Sequence, residues 1–128
     1  MPARTWTPGE LDVLSAAYSI DLHANTDRND SDDSVEIGMV VVAGSVFVRA
    51  FRGTASRWYE AAKNSGTGWI RQGETRWKVA FTAVPASLDP QLADRIDDAY
   101  VAKYGGLASG ATGDRMREAT LRSEPLTS

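Results

Sequence analysis

The residues best suited to chemistry lie in one run, Val46-Phe47-Val48-Arg49-Ala50-Phe51-Arg52-Gly53-Thr54-Ala55-Ser56-Arg57-Trp58-Tyr59. An apolar stretch delivers Arg49 and Arg52 toward a glycine turn, and Ser56 opens a helix signal. The first turn of a helix leaves backbone N–H groups unpaired and partly positive, which favours an anion. Gly53 permits close backbone approach. Arg49, Arg52 and Arg57 each suit charge-assisted contacts to a phosphate or carboxylate. Trp58 and Tyr59 offer flat surfaces to an aromatic ring. The same residues equally describe a capped helix that buries Trp58 while its arginines reach water, and the run alone leaves the two readings level.

The remaining chemistry is sparser. His23 is the only histidine, so a catalytic triad or a multi-histidine metal site would have to centre on it. It falls at the end of an expected strand beside a polar loop, where an exposed histidine is the ordinary case. Tyr100 and Tyr104, one helical turn apart, are candidate proton donors, although amphipathic packing explains such a pair more simply. Trp6, Trp69 and Trp77 read as core or pocket-wall residues. Asp27, Asp30, Asp32 and Asp33 lack the alternating ligands, mid-loop glycine and closing glutamate of a calcium loop, and no metal site is expected. With no cysteine in the chain, disulfides, thiolate metal sites and cysteine nucleophiles are excluded.

These groups need elements to position them. Thr7-Pro8-Gly9-Glu10 has the form of a capping box, and Leu11, Leu14 and Tyr18 then mark one face of a short helix. Ile20 and Leu22 alternate with polar neighbours as in a strand, and residues 25–34 read as a flexible acidic loop. One strand is expected over 35–43, turning at Ala43-Gly44-Ser45 into a second over 46–51. Ser56 caps a helix over 57–64 that stops near Gly66. A second hairpin turns at Gly73-Glu74, and its longer strand aims Trp77, Val79, Phe81 and Ala83 one way and Arg76, Lys78 and Thr82 the other. Asp89-Pro90 opens another helix, with Leu92, Ile96 and Tyr100 on one stripe. Residues 105–113 form a glycine-rich hinge, followed by a helical turn over 114–119 and a short strand around Thr120-Leu121-Arg122. The order contains no regular βαβ crossover. It predicts an α+β protein whose small antiparallel barrel or curved sheet carries flanking helices, a single domain over 1–128.

The 128 residues suffice for one hydrophobic core without staples, and a 42% apolar, 24% charged composition is ordinary for a globular chain. No apolar run approaches the length of a membrane span, the N-terminus has no apolar signal core, and a cytoplasmic location is expected. The net charge of −3 opposes nucleic-acid binding. Its distribution is uneven: residues 21–36 hold six acids and one base, and residues 49–78 hold seven bases and two acids. A basic middle in an acidic protein suits a local anionic ligand.

Taken together, Phe47-Val48-Arg49-Ala50, Arg52-Gly53, Arg57-Trp58-Tyr59, Gly68-Trp69-Ile70-Arg71 and Ile96-Asp97-Asp98-Ala99-Tyr100-Val101-Ala102-Lys103-Tyr104-Gly105 resemble a bacterial family of unassigned function, the domain of unknown function numbered 2255. The ending Thr120-Leu121-Arg122-Ser123-Glu124-Pro125 resembles its closing strand. That family is in turn similar to the split β-barrel flavin and deazaflavin oxidoreductases. The resemblance implies a six-stranded split barrel, a homodimer, and a cofactor groove near the dimer interface. It places Arg49, Arg52, Gly53, Ser56, Arg57, Trp58 and Tyr59 on the cofactor-facing turn. Two features depart from the deazaflavin pattern: Glu60-Ala61-Ala62 follows Tyr59 where an asparagine-leucine pair is usual, and the acidic loop replaces a basic phosphate-binding segment.

The leading expectation is therefore a small oxidoreductase-like protein. A flavin or deazaflavin would be held by Arg49, Arg52, Gly53, Ser56, Arg57 and Trp58, with Tyr59, Tyr100 and Tyr104 as proton-donor candidates acting on a small metabolite. A cofactor-free isomerase, cyclase or hydrolase of the same fold, and a non-catalytic ligand-binding dimer, remain as alternatives. Neither a nucleic acid nor a membrane is expected as a partner.

Overall fold

The strand β2 (Val35–Ile37) ends two residues before β3 (Val40–Val42) begins, so the single strand expected over 35–43 is divided at Gly38 and Met39. The computed structural model describes residues 4–25, 34–50, 53, 56–106 and 113–126. The other strands are β1 (Ile20–Ala24), β4 (Ser45–Arg49), β5 (Thr67–Gln72), β6 (Thr75–Ala83) and β7 (Thr120–Pro125). The helices are α1 (Pro8–Ala16), α2 (Arg57–Ser65), α3 (Pro90–Tyr104) and α4 (Asp114–Glu118). All seven strands form one antiparallel sheet in the order β2-β1-β5-β6-β7-β4-β3. The fold is α+β, with seven strands rather than the six implied by the resemblance.

That order places β2 and β3 at opposite edges, although only two residues separate them in the chain. Ile37 and Val40 are three Cα steps apart and span at most ~11 Å. In a flat sheet of seven strands the edges would stand ~29 Å apart at ~4.8 Å per strand. The sheet must curl until its edges meet, which makes an open barrel with its seam at Gly38-Met39. Met39 N–H donates to the Tyr104 hydroxyl at 3.0 Å, and that hydroxyl donates to Tyr18 O at 2.7 Å. Lys103 Nζ donates to Met39 O at 2.7 Å. These contacts take up the backbone groups that would otherwise continue the strand. A side chain at Gly38 would meet the Tyr104 hydroxyl at 2.8 Å.

Alternation sorts the side chains onto two faces. The inner face packs Ile20, Leu22, Ile70, Val79, Phe81, Val46, Val48 and Leu121 against Leu14 of α1 and Tyr59 and Ala62 of α2. On the outer face Val40, Val42 and Phe47 form a second core with Val84 and with Ile96 and Tyr100 of α3. β7, expected as a short terminal piece, lies between β6 and β4 and pairs with both. Tyr18 does not join the apolar face of α1. The helix stops at Ala16, leaving Tyr18 65% exposed against Tyr104.

The local signals otherwise act as expected. Thr7 and Glu10 complete a capping box, and Asp89 caps α3 through Leu92 N–H. Gly66 ends α2 with a φ of 73°. Ala43 and Gly44 both take positive φ, 52° and 80°, at the β3–β4 hairpin, as a tight two-residue turn requires. Trp77, Val79, Phe81 and Ala83 share the inner face, opposite Arg76, Lys78 and Thr82. The acidic loop and the glycine-rich hinge fall largely outside the described residues, at 26–33 and 107–112.

Glu10 binds the N-terminal segment to the barrel. Its carboxylate accepts both Arg4 guanidinium nitrogens at 2.9 Å, the Thr7 N–H at 2.9 Å and Trp77 Nε1–H at 3.0 Å. Arg4 first, then Thr7, holds the carboxyl down at about 2 from an ordinary 4.5. A carboxyl lowered on folding contributes stability above pH 4.5 that is lost as pH falls toward 2. Glu10→Gln is expected to remove about 1 kcal/mol of this acid-limb dependence, the pair being partly screened by water. Urea unfolding of both proteins between pH 3 and 6 checks it. In Lys103 the charged form is the one disfavoured, because burial brings its amine down to about 8 from 10.5. Between these values the unfolded chain binds the extra proton, so stability rises with pH across that window. The wild-type melting temperature minus that of Lys103→Met is expected to increase from pH 8 to pH 10.5. A difference that stays flat would contradict it.

Candidate functional site

The bend between β4 and α2 is built by backbone bonds around one glycine. Gly53 N–H donates to Ala50 O at 2.9 Å, and Ser56 N–H donates to Gly53 O at 3.1 Å. Gly53 takes a φ of 75°, which side chains other than glycine resist. The Arg115 side chain of α4 packs directly against it, where a Cβ would collide. Ser56 then caps α2, whose first intrahelical bond is Glu60 N–H to Ser56 O at 3.0 Å. The N–H groups of Arg57, Trp58 and Tyr59 precede that bond and belong to the unpaired first turn. The Ser56 side chain makes no capping bond although the residue is only 7% exposed. Arg57 is exposed and Trp58 half-buried, its ring edge-on to Tyr59 at 6.3 Å. The bend thus brings together Gly53, Ser56, Arg57, Trp58 and Arg115, while Arg52 lies outside the described residues.

Tyr59 follows the bend but points inward, packed in the main core. Burial foremost, then Glu118 and Glu60, raises its phenol above the ordinary range.

Arg49 turns the other way. Its side chain leaves the outer face of β4 and is wholly buried beneath α3. The guanidinium pairs with Asp97, donates to Ala93 O at 3.1 Å, and bonds Thr120 Oγ1 through Nε at 3.1 Å. Arg117 extends the network, with NH2 2.7 Å from Asp94 and Nε 3.6 Å from Asp97. Breaking one partner of such a buried pair typically costs about 3–5 kcal/mol. At that magnitude Arg49 holds α3 on the sheet. Tyr100 lies beside it, the guanidinium carbon 5.6 Å from its ring centre. No described residue is placed as a hydrogen-bond partner of the buried Tyr100 hydroxyl, and burial holds the phenol well above its ordinary range despite the nearby cation. Tyr104 stacks on Tyr100 at 5.7 Å, and its own hydroxyl belongs to the seam.

The residues singled out from sequence therefore separate into two groups. Gly53, Ser56, Arg57 and Trp58 share the bend, whereas Arg49, Tyr100 and Tyr104 lie under or on α3. Arg115, Arg117, Asp97 and Lys103 were not foreseen in these roles. Arg115 and Arg117 follow the bend by some sixty residues, and no spacing signal connects two segments so far apart.

His23 is likewise not simply exposed. It is half-buried and stacks on Trp69 with ring centroids 5.2 Å apart and planes 16° apart. Among the described residues no cluster of histidines and acids could hold a metal ion, and no helix is long and apolar enough to cross a membrane.

The fold is shared with solved structures. A conserved hypothetical protein of Mycobacterium tuberculosis superposes with a TM-score of 0.68 at 11% identity, over 99% of this chain and 86% of that one. An FAD-binding protein of Mesorhizobium loti superposes with a TM-score of 0.53 at 12% identity, over 100% of this chain and 94% of that one. Among curated proteins none matches the sequence. Residues 10–123, from the capping glutamate to the last barrel strand, match one described bacterial family, and the chain belongs to it: the uncharacterised proteins conserved in bacteria known as DUF2255.

Proposed function

We propose that the protein binds a flavin or deazaflavin at the bend entering α2 and acts as a small oxidoreductase on a small metabolite. The observation that carries the reading is the Ser56 side chain, nearly buried and without a capping bond, at the unpaired end of a helix. An anion there would take the Ser56 hydroxyl, the free first-turn N–H groups and the helix's positive end at once. Arg57 and the Arg115 side chain against Gly53 add positive charge on either side, and Arg52 belongs to the same bend by sequence. A phosphate-bearing cofactor suits such a cradle. Trp58, half-buried beside it, is placed to cover an aromatic ring. The barrel shared with an FAD-binding protein supports the choice of a flavin-like ring over other phosphate-bearing molecules.

The chain's own residues would bind and orient. Gly53 gives the bend its left-handed turn and leaves room for the Arg115 side chain, Ser56 and the first-turn amides grip the anion, and Trp58 shields one side of the ring from water. Arg49 contributes at one remove, by fixing the end of β4 from which the bend departs. When bound, the flavin or deazaflavin supplies the hydride or electron transfer. Tyr100, sealed beneath α3 and raised by burial so that its phenol gives up a proton reluctantly, is not given the proton-donor role.

Titration of the purified protein with FMN, FAD and a deazaflavin is expected to quench tryptophan fluorescence with saturation, and Trp58→Phe to reduce the quench. Ser56→Ala combined with Arg57→Ala is expected to weaken binding about tenfold or more, charge-assisted bonds being worth roughly 1.5–3 kcal/mol each. Absence of binding by all three at about 100 μM, where even a weak site would register, defeats the reading.

A further inference from the structure

The seam holds a lysine whose amine meets no opposite charge among the described residues. Lys103 Nζ lies 2.7 Å from Met39 O, 3.5 Å from Leu14 O and 3.6 Å from the Met39 sulfur. The Tyr104 ring centre is 5.4 Å away. No carboxylate of the described residues pairs with it. Glu36 of β2 is bonded to Ser19 at 2.7 Å, Asp97 of α3 pairs with Arg49, and Asp12 of α1 forms no ion pair. Tyr104 and, against it, Tyr18 are the titratable groups on this side. The Lys103 side chain is half-buried rather than sealed, and Tyr18, 65% exposed, borders solvent.

An ammonium has three hydrogens to place. Here one acceptor is close, while the others are a distant carbonyl and a thioether, which accepts weakly. Losing a proton gives up one long contact and removes a charge withdrawn from water. Only the free base has a lone pair, so an amine in such a place is a nucleophile near neutral pH. The surroundings also choose among the products an amine forms. A carbamate would set a negative charge beside two carbonyls. An imine either keeps the positive charge or loses the N–H that Met39 O accepts. An amide keeps one N–H for the one short bond and carries no charge. We propose that Lys103 is an acylation site, taking the acyl group of an activated donor of the acyl phosphate class. Its nitrogen attacks the acyl carbon, and the C–N bond forms as the C–O bond to phosphate breaks. Phosphate leaves with the electron pair, and the proton lost from nitrogen passes to water.

The reaction needs no flavin and uses no residue of the bend, so its failure is distinct from failure of the proposed cofactor site. The chain has no cysteine to compete for the acyl group, and its other lysines, Lys63 and Lys78, are exposed and serve as internal standards. The wild-type protein is treated with acetyl phosphate, and acetylation of each lysine is followed over time by peptide mass spectrometry. At pH 8, where about half of the Lys103 amine is unprotonated, Lys103 is expected to be acetylated about tenfold faster than Lys63 or Lys78, its larger free-base fraction outweighing its lower basicity. Its rate is expected to level off between pH 8 and pH 10.5. In denaturing guanidinium chloride the advantage is expected to disappear, because the carbonyls of Met39 and Leu14 no longer surround the amine. A Lys103 that reacts no faster than Lys63 and Lys78 in the folded protein would overturn the proposal. So would an advantage that survives unfolding, or a rate that climbs without levelling to pH 10.5.

Discussion

The shortness of the connection between Ile37 and Val40 governs the architecture. Joining the two edges of a seven-stranded sheet through two residues forces curvature that strand twist alone does not dictate. Closure creates an inside, and the inner face becomes the main core. It also brings the ends of α1 and α3 to one place, where Tyr104 and Lys103 satisfy the backbone of Met39. A glycine precedes that methionine because the Tyr104 ring occupies the space a side chain would need. The half-buried Lys103 amine, set on carbonyls rather than carboxylates, is the electrostatic cost of this closure.

Curling leaves an outside as well, and the protein uses its two ends differently. At the β3–β4 end α3 is held by apolar contacts and by Arg49, whose guanidinium bonds groups on α3 and β7. A buried guanidinium is tolerated only when its donors are met, and Asp97, Ala93 and Thr120 meet them. At the other end the strands carry charged and aromatic side chains, with Trp69 between His23 and two arginines. The basic middle of the sequence is thus spread over three environments: a buried structural pair, an exposed bend and an outer sheet face.

Among the described residues the bend combines the first-turn donors of a helix, a capping side chain that makes no capping bond and neighbouring cations. Its construction depends on parts distant in sequence. α4 supplies Arg115 against Gly53, and the strand that follows it pairs with β4 to fix where the bend begins. Arg115 therefore reaches the bend on α4, placed by the strand between β6 and β4, rather than through the motif itself.

Much of the secondary structure was legible in the residues, because capping, turn geometry and alternation act over a few positions. Thr7 and Glu10, Asp89 and Pro90, Gly66 and the faces of β6 follow from neighbours within about four residues. Part of the bend was legible for the same reason, since Gly53, Ser56, Arg57 and Trp58 are contiguous. The break at Gly38 was not, because apolar β-branched residues run on both sides of it and the cause is Tyr104, 65 positions beyond Met39. Nor was the fate of Arg49, whose type and spacing equally fit a ligand contact. Its burial was decided when α3 folded over Phe47 and brought Asp97 to it. Sequence by itself determined which elements form and which face of each is apolar. Tertiary structure alone decided which charges are consumed in holding the barrel together, because an ion pair depends on distance in space and leaves no periodic trace along the chain.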